Sequence, residues 1–273
     1  MDMDSHEDSE FIRHEPCPSC GSRDNLARYD DGHGFCFGCG HYEHKDGCNQ
    51  NELRREMLQG KAKAIPSRKL SQATCNLFSY EIGKDEDKAV HIANYYDDQK
   101  NLIAQKVRTE DKKFYWNGDA SKVGLYGQWL WRHGGKMVTI TEGELDALSV
   151  SQAVGNKYPV CSIASGVTSA PKSIKKQLEW LESFDRINIC FDQDDVGKMQ
   201  AKKVAGLFSV GKAYIVNLPK KDASEMLVAD LSKELVDCVW SAKPYHPDGI
   251  VSHKDMWDYI RRPKKKSSKP YPL

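Results

Sequence analysis

The sequence predicts an α/β protein in two parts, a small four-cysteine zinc ribbon and a core that ends in a parallel sheet covered by helices on both faces. Three observations carry this. Four cysteines fall in two close pairs within the first 45 residues, a polar and basic stretch follows them, and after Gly134-Gly135 short apolar runs alternate with helix-length segments. Such alternation is how strands joined by crossover helices read.

The ribbon is expected over residues 1–45. Cys17, Cys20, Cys36 and Cys39 form C-x2-C-x15-C-x2-C. Two residues between paired cysteines let a tight knuckle aim both sulfurs at one ion, and the longer middle spacing lets two knuckles meet around it. Gly21 and Gly40 follow the knuckles, where the backbone needs a positive φ. One Zn²⁺ closed in by four sulfurs has no open position, so it is structural, and a region this short needs the metal to fold. Cys48 falls outside the pattern, and Cys75, Cys161, Cys190 and Cys238 lie in apolar runs as small core residues. Tyr29, His33 and Phe35 mix rings with polar neighbours, a surface suited to stacking on bases. Phe35 reads equally well as ribbon core, whereas His33, between Gly32 and Gly34, is expected to be exposed.

Residues 46–67 read as a linker. An α+β subdomain is expected over 68–135: a helix over LSQATCNLFSYEIG, then a hairpin of AVHIANYY and LIAQKVR across DDQKN, with FYW as a further strand. In the second hairpin strand Lys106 and Arg108 share a face with Ala104, while Ile103 and Val107 take the other. With Lys112 close behind, the cations are spaced to hold a triphosphate or a template phosphate. Ordinary surface charge accounts for them equally from spacing alone. Lys84 and Lys88 have no comparable setting.

The parallel sheet is expected over 136–245. Its strands are MVTITE, VCSIA, INICFD and AYIVNL, and its helices ELDALSVSQAV, SIKKQLEWLESF, VGKMQAKKVAGLF and SEMLVADLSKELVDCVW. The crossovers should be right-handed. Residues 246–273 end in RRPKKKSSKPYPL, a basic tail or tether.

Acids cluster where these strands end. Glu142 closes the first strand, Asp192 and Asp194 follow INICF, and Asp222 follows AYIVNLPKK. Ligands of open parallel sheets bind outside the carboxyl ends of the strands, so these carboxylates should converge. Gathered carboxylates repel unless protonated or neutralised, and oxygen-rich sites suit Mg²⁺ or Mn²⁺, as a pair in phosphoryl transfer. One acid at a strand–helix junction is ordinarily a helix cap; four are not so explained. Asp194 is the outer member of the set, and Asp146 and Asp195 read as caps or first-turn charges.

With 273 residues, 39% hydrophobic and 29% charged, the chain has globular composition and room for about two domains. Its formal net charge of +1 singles out no partner. There is no apolar run of membrane length and no secretory leader, so no membrane association and a cytoplasmic setting, with reduced cysteines, are expected.

TEGELDAL followed by CFDQDDVGK resembles the TOPRIM fold of bacterial-type primases, topoisomerases and some recombination proteins. With DGHGFC, QKVR, FDQD and KDASE in order, the chain is similar over nearly its whole length to the primase half of the fused primase–helicases of short-tailed bacteriophages. That resemblance implies Mg²⁺-dependent synthesis of short RNA primers from ribonucleoside triphosphates on single-stranded DNA, within a replisome holding a helicase and a DNA polymerase. It implies metal chemistry at Glu142, Asp192, Asp194 and Asp222, phosphate binding at Lys106, Arg108 and Lys112, and template reading at His33. A non-catalytic TOPRIM recombination mediator and a TOPRIM nuclease are the alternatives. The chain reaches Leu273 without a helicase ATP-binding loop.

Overall fold

In the computed structural model the chain divides into two compact units, Met1–Met57 and Leu58–Leu273. The structure describes residues 9–18, 21–37, 42–43, 56–246, 256–257 and 261.

In the first unit, β1 (Phe11–Glu15), β2 (Leu26–Tyr29), β3 (Gly34–Cys36) and β4 (Tyr42–Glu43) form an antiparallel sheet in that order. Cys17 follows β1, and the Gly21 N–H donates to its carbonyl at 2.9 Å. Gly21 takes φ +69°, which closes the tight turn expected there. Cys36 ends β3 opposite Leu26, and Cys17, Leu26 and Cys36 make the unit's small buried core. Cys20, Cys39, Gly40 and Cys48 lie outside the described residues. Arg28 clamps the sheet by ion pairs to Glu15, at 2.8 Å, and to Glu43.

The second unit begins earlier than the expected linker end at residue 67. Leu58 donates its N–H to the Gln105 side chain at 2.7 Å, and β5 (Gly60–Lys61) is an edge strand. The helix expected over 70–83 is shorter, α1 running Gln72–Leu77 behind its cap Ser71. Ser79 then takes φ +50° and the chain turns into β6 (Tyr80–Asp85). YEIG therefore extends as a strand, because pairing with β7 (Lys88–Tyr96) satisfies its backbone and buries Tyr80. With β8 (Leu102–Thr109) and β9 (Phe114–Gly118) the expected hairpin becomes a five-stranded antiparallel sheet in chain order. Its two faces alternate as the period of two requires. Val90, Ile92 and Val107 pack on one, and Ala93, Tyr95 and Ala104 join the main core on the other.

The remainder is α/β. Its elements are β10 (Val138–Thr141), α2 (Glu144–Ala153), β11 (Val160–Ser162), α3 (Ala170–Lys176), α4 (Leu178–Glu182), β12 (Ile187–Cys190), α5 (Asp195–Ala205), β13 (Ala213–Ile215), α6 (Ala223–Val228), α7 (Ser232–Trp240) and β14 (Lys243–Pro244). Two expected helices are divided, at Gln177 and at Asp230, where φ turns to +60°. Strand order is β11-β10-β12-β13-β14, parallel except for β14. Helices cover both faces. Leu148 of α2, Met226 of α6 and Leu235 of α7 belong to one core, and Ile174 of α3, Leu181 of α4 and Val204 of α5 to the other. From β10 the chain steps to β11 on one side and returns to β12 on the other. The strand order thus reverses between β10 and β12, the place where open sheets leave a crevice at their carboxyl ends.

Candidate active site

Thr141 and Cys190 are register partners at the ends of β10 and β12, so Glu142 and Asp192 leave the sheet side by side. The Asp192 N–H lies 3.4 Å from Glu142 Oε2. Asp222, beyond β13, caps α6 by accepting the Glu225 N–H at 2.7 Å. Glu142, Asp192 and Asp222 line one side of a cleft of about 560 Å³. Asp194 is placed differently. It is the N-cap of α5, accepting the Gly197 N–H at 2.7 Å, and is exposed beyond the cleft lining. A bend at Gln193 and Asp194 ends the extended backbone that would have kept Asp192 and Asp194 on one side.

The carboxylates are under strain from one another. Burial, then Asp192, pushes the Glu142 carboxyl up to about 7. Burial, then Asp222, raises Asp192. Asp146 lies in the first turn of α2 as expected, and it also lines the cleft. Its Oδ1 accepts the Ser224 N–H at 3.0 Å, and burial, then Asp222, pushes it up to about 8. Lys221, 3.4 Å from Asp192, is the cation that balances this group. Among the described residues no three acidic, His or Cys side chains already form a cage around one point. The donors are hard oxygens whose mutual repulsion a hard divalent cation relieves, so the residues present fit such an ion.

Cations line the same cleft. Lys106 and Arg108 project from β8, and Lys112 sits in the turn to β9 with φ +65°. Lys106 lies 5.3 Å and Arg108 5.8 Å from the Phe114 ring centre, which braces both over an exposed aromatic face. Arg68 enters from the one-turn helix Pro66–Arg68 and donates to the Ser224 hydroxyl at 3.2 Å. Lys106 is not free: its ammonium is 2.8 Å from Glu144, a buried carboxylate that also accepts the Tyr95 hydroxyl at 2.7 Å.

Arg68, Glu144, Asp146 and Lys221 have no signal of their own in the sequence. Glu144 and Asp146 fall inside TEGELDAL and Lys221 beside Asp222, so motif proximity is the only pointer. His33, in the first unit, also departs from expectation. Its side chain is only 16% exposed, stacks on Tyr29 at 4.1 Å and pairs with Asp31. The flanking glycines do not expose it, because the hairpin folds it back over the Tyr29 ring.

Comparison with known proteins follows this division. Residues 60–118 match the family model described as the bacteriophage T7 DNA helicase/primase N-terminal α+β fold, and residues 139–227 match the Toprim-like model. The crystal structure of the primase fragment of the bacteriophage T7 primase–helicase aligns with TM-score 0.63 and 31% identity, covering 85% of this chain and all of that one. The chain belongs to the T7-type primase family. A DNA helicase/primase of Enterobacteria phage T3 is 32% identical over 276 residues, 95% of this chain. This member spans about half the length of that curated relative, 49% of it. A structure of T7 lagging-strand DNA polymerase with primase domains bound to an RNA/DNA hybrid and dTTP contains a chain 34% identical, with TM-score 0.65, covering 69% of this chain and 95% of that one. Among the described residues, no helix of this family member is long and apolar enough to cross a membrane.

Proposed function

We propose that the chain is a DNA primase that joins ribonucleoside triphosphates into short RNA on a single-stranded DNA template. The observation that carries this reading is that Glu142, Asp192 and Asp222 line one cleft together with Lys106, Arg108 and Lys112. Acids alone suit many metal sites, and cations alone suit any anion. In one cleft, they suit a polyphosphate with its divalent ions.

In the proposed reaction a 3′-hydroxyl oxygen bonds to an α-phosphorus, the bond to pyrophosphate breaks, and the hydroxyl proton leaves. Glu142, at the end of β10 beside Asp192, is the group placed to orient that hydroxyl or take its proton. Arg108, Lys112 and Lys106 hold the phosphates. Glu142, Asp192 and Asp222 would hold Mg²⁺ or Mn²⁺, one ion or a pair, which when bound stabilises developing charge on the phosphate oxygens. Asp194 supports this set only through the start of α5.

One structural Zn²⁺ is proposed for Cys17, Cys20, Cys36 and Cys39, supported by the Gly21 turn at Cys17 and the shared burial of Cys17 and Cys36. On the same reading His33, stacked on Tyr29 and partly exposed, contributes its accessible edge to template reading. Because relatives join primase to helicase, and a T7 structure joins primase domains to a DNA polymerase, a helicase and a replicative polymerase are the proposed protein partners. The proposed domain plan is a ribbon over 1–45, a primase core beginning at residue 58 rather than 68, divided near residue 135, and a basic segment from 246.

The test is incorporation of labelled ribonucleotides on single-stranded DNA with Mg²⁺. Glu142→Gln and Asp192→Asn should each lower it by roughly 100-fold or more, the scale of losing a positioned acid–base group. Undiminished synthesis in both variants rejects the site. Template cleavage without synthesis identifies a nuclease, and DNA binding with neither identifies a mediator.

A further inference from the structure

We propose that Glu144, with Tyr95 behind it, is a positioning residue that fixes the Lys106 ammonium as a phosphate donor in the cleft. The proposal deepens the primase reading and rests on it. Glu144 is 8% exposed and opens α2, where the helix N-terminus favours a carboxylate. One of its oxygens, Oε1, accepts both the Tyr95 hydroxyl at 2.7 Å and the Lys106 ammonium at 2.8 Å. Tyr95 and Lys106 stand on the same face of the antiparallel sheet, opposite Ala104 and Ala93 respectively. These two small residues leave room for the carboxylate to reach both groups.

A lysine on four flexible carbons loses much rotamer freedom when it grips a phosphate. Here that freedom is already lost in the free protein. Glu144 accepts a hydrogen bond from one ammonium N–H, and the ammonium lies over the Phe114 ring, while Lys106 lines the cleft. Two ammonium protons then remain for a ligand. Tyr95 is fully buried, so Glu144 is in turn held by a group that cannot swing. The arrangement links the α/β sheet to the antiparallel sheet through one carboxylate, and it sets the reach of Lys106 toward the acids.

The experiment measures equilibrium binding of ATP, without template, and KM and kcat for incorporation by full-length protein. The variants are Glu144→Gln, Tyr95→Phe, Lys106→Met and Glu144→Gln/Lys106→Met. Glu144→Gln should weaken ATP binding and raise KM roughly 5- to 30-fold, with kcat changed less, and Tyr95→Phe should do the same to a smaller extent. The coupling decides between positioning and bulk stability: in the Lys106→Met background, Glu144→Gln should cost little more. Equal costs with and without Lys106, or a lowered melting temperature with unchanged ATP binding and KM, would overturn the proposal. If Lys106→Met weakens ATP binding but Glu144→Gln does not, this inference fails alone. If wild-type protein binds no ATP, the primase reading fails with it.

Discussion

At the scale of residues, Asp146 illustrates how burial changes what a carboxyl contributes. It sits in the first turn of α2, accepts the Ser224 N–H, and has Asp222 as the charge that opposes it most. Its carboxyl is raised from 3.8 to about 8, so its proton is held more tightly when folded than when unfolded. The stabilisation is therefore fully present below about pH 4 and is lost as pH rises toward 8. Glu142, raised to about 7, acts in the same direction. In chelator, the melting temperature should fall between pH 4 and 8, and Asp146→Asn should flatten that fall in thermal denaturation. A slope unchanged by the substitution would count against the buried assignment. Asp146 was not legible as a cleft residue, because a strand–turn–helix sequence offers the same acid to solvent, to a cap or to a neighbouring helix. Glu142 and Asp192 were legible as neighbours, since both close apolar runs of strand length.

At the scale of elements, the junction of β12 and α5 carries the heaviest constraint. A Cβ on Gly197 would lie 2.2 Å from the Asp192 carbonyl oxygen. Gly197 also donates its N–H to Asp194, so the helix start and the Asp192 loop are packed as one piece. Gly197→Ala should displace that loop, cost about 1–3 kcal/mol by overpacking, and lower primer synthesis more than roughly 10-fold. Wild-type synthesis and melting temperature in that variant would show that the loop yields. The glycine reads in the sequence only as a weak helix residue; its contact with residue 192 exists after folding. The same distinction explains the strands. Strand-like runs revealed β7 and β8 and short apolar runs the parallel strands, whereas β5 and β6 are specified by pairing with distant partners. In YEIG both helix and strand periods fit a short run, and the ladder with β7 decides.

At the scale of the whole molecule, the two units draw their stability from different sources. The second has large cores on the sheets, while the described core of the first is Cys17, Leu26 and Cys36. A core so small needs its proposed metal. A zinc-selective chelator should abolish the low-field amide shifts of the first unit in NMR spectra while leaving those of residues 58–246 in place. Template preference should be lost in parallel, with nucleotide binding in the cleft retained. Loss of dispersion in both sets of signals at the same chelator concentration would reject separate stabilities. The sequence by itself determined the order of the parts, the strand-end placement of Glu142, Asp192 and Asp222, and the alternation that puts Lys106 and Arg108 on one strand face, because each follows from local periodicity. The tertiary structure alone decided that this face looks into the acidic cleft, that Glu144 and Tyr95 hold Lys106, that Asp194 turns away to cap α5, and that Arg68 and Lys221 complete the walls. Those outcomes depend on how two sheets and the helix between them pack, and packing joins residues whose separation along the chain carries no periodic trace.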